Sequence, residues 1–396
     1  MSGTSVAGTS VAGTSAVDGT VRVAVVGLGW AGRSIWLPRL RDHPAFEVVA
    51  LVDPDPGTRA EVAAELAAGV GAGVGVDVLA HPAELTRSAV DLAVVAVPNH
   101  LHSPVAVGLL AAGVPVFVEK PVCLRTAEAE TLAAAELAGG AVLLAGSAAR
   151  FRADVRALYG IAEQLGTIRH VDVSWVRARG VPDAGGWFTR RDLAGGGALL
   201  DLGWHLLDAA APLVGTDGFV HAVGTVSGDF VADAAWSASW RHPDDAAGSR
   251  PGGNVEDTVR AFLVSGTGVS VALRASWASH EPLDGTVVRV EGSAGSAELR
   301  CTFGFSPNRH PRSTLTWTKN GTTTSVDVPT EPIGAEYRRQ LDELPAQLAD
   351  PTRRGAAVAQ ARSTIAAIEK IYESAGLAQS AVPAHTATSA LLPAAS

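Results

Sequence analysis

The sequence predicts an α/β chain in two parts. The first is a doubly wound parallel sheet of Rossmann type; the second is an α+β domain with an open, mainly antiparallel sheet. Three observations carry this expectation. Short apolar runs alternate with helical patterns from Val21 to about residue 148. A G-x-G-x-x-G pattern follows the first of those runs. Beyond residue 149 the runs lengthen, alternate in polarity and join through Gly-containing turns. Strand–helix alternation calls for parallel pairing, and hairpin-like alternation for antiparallel pairing. At 396 residues the chain is also long for one core.

Taken in order, residues 1–19 repeat AGTSV without a bulky core former and read as a disordered tail. Residues 20–148 hold the runs VRVAVVG (21–27), FEVVALVD (46–53), VDLAVVAVP (90–98) and VPVFVEK (114–120). Continuous apolar runs of this kind suit strands covered on both faces. RAEVAAELAA (59–68), SPVAVGLLAAG (103–113) and TAEAETLAAAELAGG (126–140) supply the intervening helices. Residues 149–378 form the second domain, with strand candidates TIRHVDVSWVRARG (167–180), DTVRAFLVSGTGVSVALRASWAS (257–279), TVVRVEGSAGSAELR (286–300) and STLTWTKNGTTTSVDV (313–328). The stretch GGGALLDLGWHLLD (195–208) interrupts them as a helix, and two helices over 334–348 and 354–375 close the domain. The loop 241–254 is polar, rich in Gly and Pro, and reads as mobile; residues 379–396 read as a second disordered tail.

Composition excludes several classes of partner. The formal charge of −9 is spread along the chain and argues against nucleic acid or an anionic membrane. No apolar run approaches the roughly 20 residues of a membrane span. Cys123 and Cys301 are too few for a disulfide framework or a thiolate metal site. The N-terminus lacks a basic region followed by an apolar one, so the expectation is a cytoplasmic protein. Lys120, Lys319 and Lys370 are the only lysines among 31 basic residues. In so arginine-rich a chain, a retained lysine is informative.

Four motifs carry chemistry. In VRVAVVGLGWAG, Gly27 permits a tight turn, Gly29 lets the backbone approach a pyrophosphate, and Gly32 lets the helix pack on the strand. Leu28, Trp30 and Ala31 complete the loop, whose helix start faces the phosphate charge. Asp53, at the end of the second strand, stands where a carboxylate holds a ribose 2′-hydroxyl and repels a 2′-phosphate. NAD is therefore expected, with NADP possible because Arg59 lies close by. In VAVPNHLHSP, the strand end at Pro98 is followed by Asn99, His100 and His102, at the rim where open α/β sheets bind ligands. A metal on the two histidines would need a third ligand that the sequence does not place, so no metal is expected. Cofactor-cleft lining is expected of Asn99 and His102.

Glu119 and Lys120 end the next strand at the same rim. A surface ion pair is the plain alternative, but an ammonium there could also stabilise an alkoxide developing on a substrate. In GGGALLDLGWHLLD, Asp201, His205 and Asp208 lie within roughly 60° of arc on a helix. An imidazole oriented by a carboxylate is what a general base requires. The three glycines are expected to clear space for a ligand, and Asp208 is expected to make a structural hydrogen bond.

Together GLGWAG, VPNHLH, EKP and GGGALLDLGWHLLD resemble the Gfo/Idh/MocA oxidoreductases, the family of glucose–fructose oxidoreductase and inositol dehydrogenase. RF at 150–151, GGWF at 185–188, VEDTVRAFLVSGTG at 255–268 and EGSAGSAEL at 291–299 extend the likeness over everything between the tails. The resemblance implies hydride transfer between NAD(P) and a secondary alcohol or ketone of a sugar or cyclitol, free, nucleotide-linked or of aminoglycoside type. It implies that Lys120, Asp201 and His205 are the catalytic lysine, aspartate and histidine. It adds Pro98, Glu119 and Lys120 to the cofactor site, and Arg150 and Trp187 to the substrate site. It also implies a homodimer or homotetramer formed through the second sheet. Two other readings stay open: a glycoside hydrolase working by transient oxidation, and a non-catalytic dinucleotide sensor. The departure from the family lies in AVLLAGSAARFRADV (141–155), whose small residues leave the substrate undetermined.

Overall fold

A computed structural model describes residues 19–68, 75–182, 186–215, 217–238 and 253–377. The two tails, apart from Gly19, and residues 241–252 of the polar loop lie outside the described residues.

The first sheet has six parallel strands, β1 (Val21–Val26), β2 (Phe46–Val52), β3 (Asp77–Leu79), β4 (Leu92–Val95), β5 (Val116–Val118) and β6 (Leu143–Ala145), in the order β3-β2-β1-β4-β5-β6. This is the doubly wound order, and the direction of progression reverses between β1 and β4, where such sheets bind ligands. Val23, Val25, Leu92 and Val94 are fully inaccessible, which explains why β4 is apolar at every position and β1 at every position but Arg22, whose side chain pairs with Asp91. β3 and β6 are three residues long and leave no periodic signal. The connecting helices are α1 (Leu37–Arg41), α2 (Pro56–Ala67), α3 (Asn99–Ala111) and α4 (Thr126–Gly139).

The second sheet joins eight strands: β7 (Ile168–Val176), β8 (Phe219–Ser227), β9 (Thr258–Ser265), β10 (Ser270–Ser276), β11 (Gly285–Gly292), β12 (Gly295–Cys301), β13 (Thr314–Lys319) and β14 (Thr322–Val326). Their order is β14-β13-β12-β11-β7-β10-β9-β8. Every neighbouring pair is antiparallel except β7 with β10, which run side by side in the same direction. The helices that follow β6 in the chain are α5 (Ala153–Ala162), α6 (Arg191–Ala194), α7 (Trp204–Val214), α8 (Ala335–Ala349) and α9 (Ala356–Ser374). Before α7 the chain makes a wide π turn over Leu199–Gly203, and another over Ala31–Trp36 precedes α1.

One expectation about organisation changes. Helix α8 was expected to belong with the second domain, yet its Leu341 and Leu344 pack into the core beneath the first sheet, with Val23, Leu92, Phe117 and Trp36. An amphipathic pattern says that a helix buries one face but not against which layer. On the second sheet, Val223 and Phe262 face each other across β8 and β9 and are exposed, as is Val220.

Candidate active site

The loop after β1 gives its three glycines three different reasons. Gly27 has φ +91°, and a Cβ there would stand 2.7 Å from the Ala96 carbonyl oxygen. At Gly32 a Cβ would stand 1.9 Å from the Gly27 carbonyl oxygen, so only glycine lets the helix start lie on the turn. At Gly29 a Cβ would meet nothing within 4 Å. The middle glycine therefore clears space that no part of the described chain fills, as a loop that cradles a pyrophosphate requires. The Leu28 N–H donates to Asp53 Oδ2 at 2.8 Å, tying the loop to the end of β2. Arg59 donates to the Asp53 and Pro54 carbonyl oxygens, both at 2.8 Å. Trp30, between Gly29 and Ala31, is largely exposed and meets Phe305 edge-on at 5.7 Å.

The ends of β4 and β5 differ from expectation in one respect. Helix α3 begins at Asn99, just after Pro98, so Asn99 and His102 turn inward instead of lining a cleft. The Asn99 amide donates to the Ala194 carbonyl at 3.0 Å. The His102 ring lies between the Pro121 carbonyl, 2.6 Å from Nδ1, and the Val97 carbonyl, 2.8 Å from Nε2. Both side chains hold backbone in place. Glu119 accepts the Trp36 indole N–H at 2.7 Å and the Lys120 backbone N–H at 2.9 Å, and its burial raises its pKa. Among the described residues, no three His, Cys, Asp or Glu side chains gather where they could hold a metal.

Lys120 leaves the end of β5 and meets the helix of the second domain. Its Nζ lies 2.5 Å from Asp201 Oδ1. The other oxygen, Oδ2, accepts the Trp277 indole N–H at 2.9 Å, and an Arg177 nitrogen stands 3.9 Å from it. Burial would raise the Asp201 carboxyl, but the charges of Lys120 and Arg177 override it and hold the pKa well below the usual carboxylate range. His205 is partly buried, its ring 5.7 Å from that of Trp175. Burial, reinforced by Lys120, lowers its pKa to about 3, so the imidazole is neutral.

Asp201 was expected to orient His205 or a neighbouring hydroxyl; in the structure its two oxygens are engaged by Lys120 and Trp277. The three glycines before the helix also serve another purpose than expected. A Cβ at Gly196 would stand 2.0 Å from the Tyr372 hydroxyl, and one at Gly197 would stand 1.8 Å from the Glu256 carbonyl oxygen. They make room for the protein itself. Asp208 is buried beyond His205, with Arg150 3.5 Å away and the Ser147 hydroxyl donating at 3.3 Å. Arg150 thus reaches Asp208 and makes no hydrogen bond or ion pair with Lys120, Asp201 or His205. Trp187 packs on Phe188, and it is Phe188 that lies under the Lys120 ammonium, at 5.9 Å. Sequence reasoning missed Phe188, Trp175, Arg177 and Trp277. Trp175, Arg177 and Trp277 come from the ends of β7 and β10, which look like ordinary alternating strands until their parallel pairing delivers both ends to one place.

Comparison with known proteins agrees with this fold. Residues 21–147 match the model of the oxidoreductase family with NAD-binding Rossmann fold, and residues 161–298 match the C-terminal domain model of the same GFO/IDH/MocA group. A proposed UDP-kanosamine synthase oxidoreductase subunit of Amycolatopsis mediterranei is 57% identical over 368 residues, 92% of this chain and 99% of that one. A dTDP-3,4-didehydro-2,6-dideoxy-alpha-D-glucose 3-reductase of Streptomyces antibioticus is 30% identical over 52% of this chain and 60% of its own. Among solved structures, GenD2 from gentamicin A biosynthesis, in complex with NAD, has a TM-score of 0.69 at 24% identity, over 92% of this chain and 97% of that one. Aldose-aldose oxidoreductase from Caulobacter crescentus has a TM-score of 0.70 at 23% identity, over 90% and 98%.

Proposed function

This chain belongs to the Gfo/Idh/MocA oxidoreductases, and within that NAD(P)-dependent family we propose that it oxidises a ring hydroxyl of a nucleotide-linked hexose, or reduces the matching ketone. The single observation that carries the chemistry is the meeting of Lys120, Asp201 and Trp277 beside a neutral His205. The nucleotide-linked substrate is favoured by the 57% identical relative, whose name specifies a UDP-sugar.

The residues divide the work as follows. Gly27, Gly29 and Gly32 with Leu28, Trp30 and Ala31 would hold the pyrophosphate, and Asp53 a ribose hydroxyl. Arg59 is turned to backbone carbonyls, which favours NAD over NADP. The bound nicotinamide supplies the hydride acceptor or donor. Lys120 Nζ donates to the substrate oxygen and stabilises the negative charge that develops on it. Asp201, fixed by the Trp277 indole, keeps that ammonium aimed. A ring nitrogen of His205 takes the hydroxyl proton, which its neutral state allows. The exposed apolar pair Val223 and Phe262 supports a homo-oligomer through the open sheet.

The test offers UDP-glucose, dTDP-glucose, free glucose, methyl glucoside and myo-inositol with NAD or NADP, following absorbance of the reduced cofactor. Turnover of a nucleotide-linked sugar that falls by orders of magnitude in Lys120→Met is the expected result. Undiminished turnover in that variant would sink the role of Lys120. Turnover of only the free sugars or the cyclitol would sink the substrate class.

A further inference from the structure

A buried carboxylate outside the reacting groups sits at the start of the helix that carries two of them. Glu256 is 4% exposed. Its Oε1 accepts the Gly197 N–H at 2.9 Å, the Leu199 N–H at 3.1 Å and the Tyr372 hydroxyl at 2.7 Å. Its Oε2 lies 3.1 Å from Arg191, whose guanidinium also stacks over the Tyr372 ring at 5.1 Å. Its backbone carbonyl takes the Ala198 N–H at 2.9 Å. One residue therefore holds the N–H groups of Gly197, Ala198 and Leu199, the three that lead into the π turn bearing Asp201. Helix starts leave such donors without intrahelical partners, and wide turns of this type persist where surroundings fix them.

The neighbouring residue completes the device. The Asp257 carbonyl accepts the Trp277 backbone N–H at 2.8 Å, while the Asp257 carboxylate is anchored by the N–H groups of Phe230 and Val231. Glu256 thus fixes the backbone that carries Asp201, and Asp257 fixes the backbone that carries Trp277. Adjacent residues on one rigid segment set both sides of a 2.9 Å hydrogen bond. The clearance at Gly196 and Gly197 is what lets Tyr372 and Glu256 come this close.

We propose that Glu256 is a positioning residue for the reaction: by gripping Gly197 and Leu199 it sets the placement of Asp201 against Trp277, and so the aim of Lys120. The inference rests on the reading of Lys120 and Asp201 as reacting groups, and its test has one arm independent of that reading. In the full-length protein, the ¹⁵N–¹H indole signal of Trp277 is assigned by its loss in Trp277→Phe. In Glu256→Gln that signal is expected to move toward the position of an unbonded indole. The Trp36 indole, bonded to Glu119, stays in place. In the kinetic arm, Glu256→Gln lowers kcat with UDP-glucose at least tenfold and leaves KM for NAD within twofold. Because the effect passes through Asp201 and Trp277, adding Glu256→Gln to Trp277→Phe lowers kcat less than twofold further. An unmoved Trp277 signal, or effects that multiply in the double variant, overturns the proposal. If Glu256→Gln does not fold, Tyr372→Phe removes one of the contacts and is read by the same signal. If wild type does not turn over UDP-glucose, the substrate reading fails and the indole signal still decides the role of Glu256.

Discussion

Asp208 gives the most quantitative prediction. It is buried on α7, one turn beyond His205, and its Oδ2 has no hydrogen-bond partner. Burial raises its carboxyl pKa from 3.8 to about 6, against the opposing pull of Arg150 and Ser147. A rise of that size corresponds to about 3 kcal/mol between the two protonation states. Because the folded-state pKa lies above the unfolded one, the folded chain holds the proton more tightly. The resulting loss of stability is absent below about pH 3.8, grows as pH rises and is complete above about pH 6. Asp208→Asn keeps the shape and removes the charge. Its amide nitrogen at the orphaned position would itself lack an acceptor, at a cost of about 1–2 kcal/mol. The net expectation is a gain of about 1–2 kcal/mol at pH 8, or a few degrees in Tm, shrinking to nothing or to a loss near pH 4. Calorimetry of wild type and variant at the two pH values measures it. A variant less stable than wild type by the same margin at both values would refute the argument that burial dominates at this carboxyl.

Other expectations follow from the same geometry. Gly29→Ala should fold with near wild-type Tm and lose at least tenfold in NAD affinity by titration calorimetry, whereas Gly32→Ala should fail to give soluble protein or lose several kcal/mol. Asp53→Ser should narrow the preference for NAD over NADP, read as the ratio of kcat/KM values. Because the His205 pKa is lowered to about 3, its imidazole stays neutral as pH falls, and kcat/KM should show no acid limb from this group above about pH 4. A limb near 6.5 would place His205 in a far more solvated setting.

Much of this architecture is legible in the sequence because local rules act alone there. The apolar runs of β1 and β4 announce a sheet covered on both faces. The glycine loop announces its purpose through spacing, and Gly27 and Gly32 show the steric reasons that the motif implies. Lys120 and Asp201 do meet, though they are some eighty positions apart. What the sequence withheld depends on three-dimensional neighbours. Asn99 and His102 look like cleft lining until α3 is seen to begin one residue after Pro98. Gly196 and Gly197 look like a ligand's clearance until Tyr372, nearly 180 positions later, fills it. The expected partner of Asp201 was His205, the polar residue nearest in sequence, or a neighbouring hydroxyl. Trp277 and Lys120 hold its two oxygens, one from just past the end of β10 and one from the other domain. Helix α8 carries a clear apolar face with no mark of which sheet it covers.

The parallel pairing of β7 with β10 has a consequence for how such a protein can change. Each strand ends on a side chain that faces Asp201 and then runs into a loop, 177–182 from one and 277–284 from the other. Both segments are packed into the protein: Val181, Trp277 and Asp284 are buried, and the Asp284 carboxylate accepts the Ala178 N–H at 2.8 Å. A lineage that rewrites either segment therefore disturbs the setting of Asp201 unless Arg177 and Trp277 are kept. Change in them is freest at exposed positions such as Glu281 and Pro282, which face neither Asp201 nor the core.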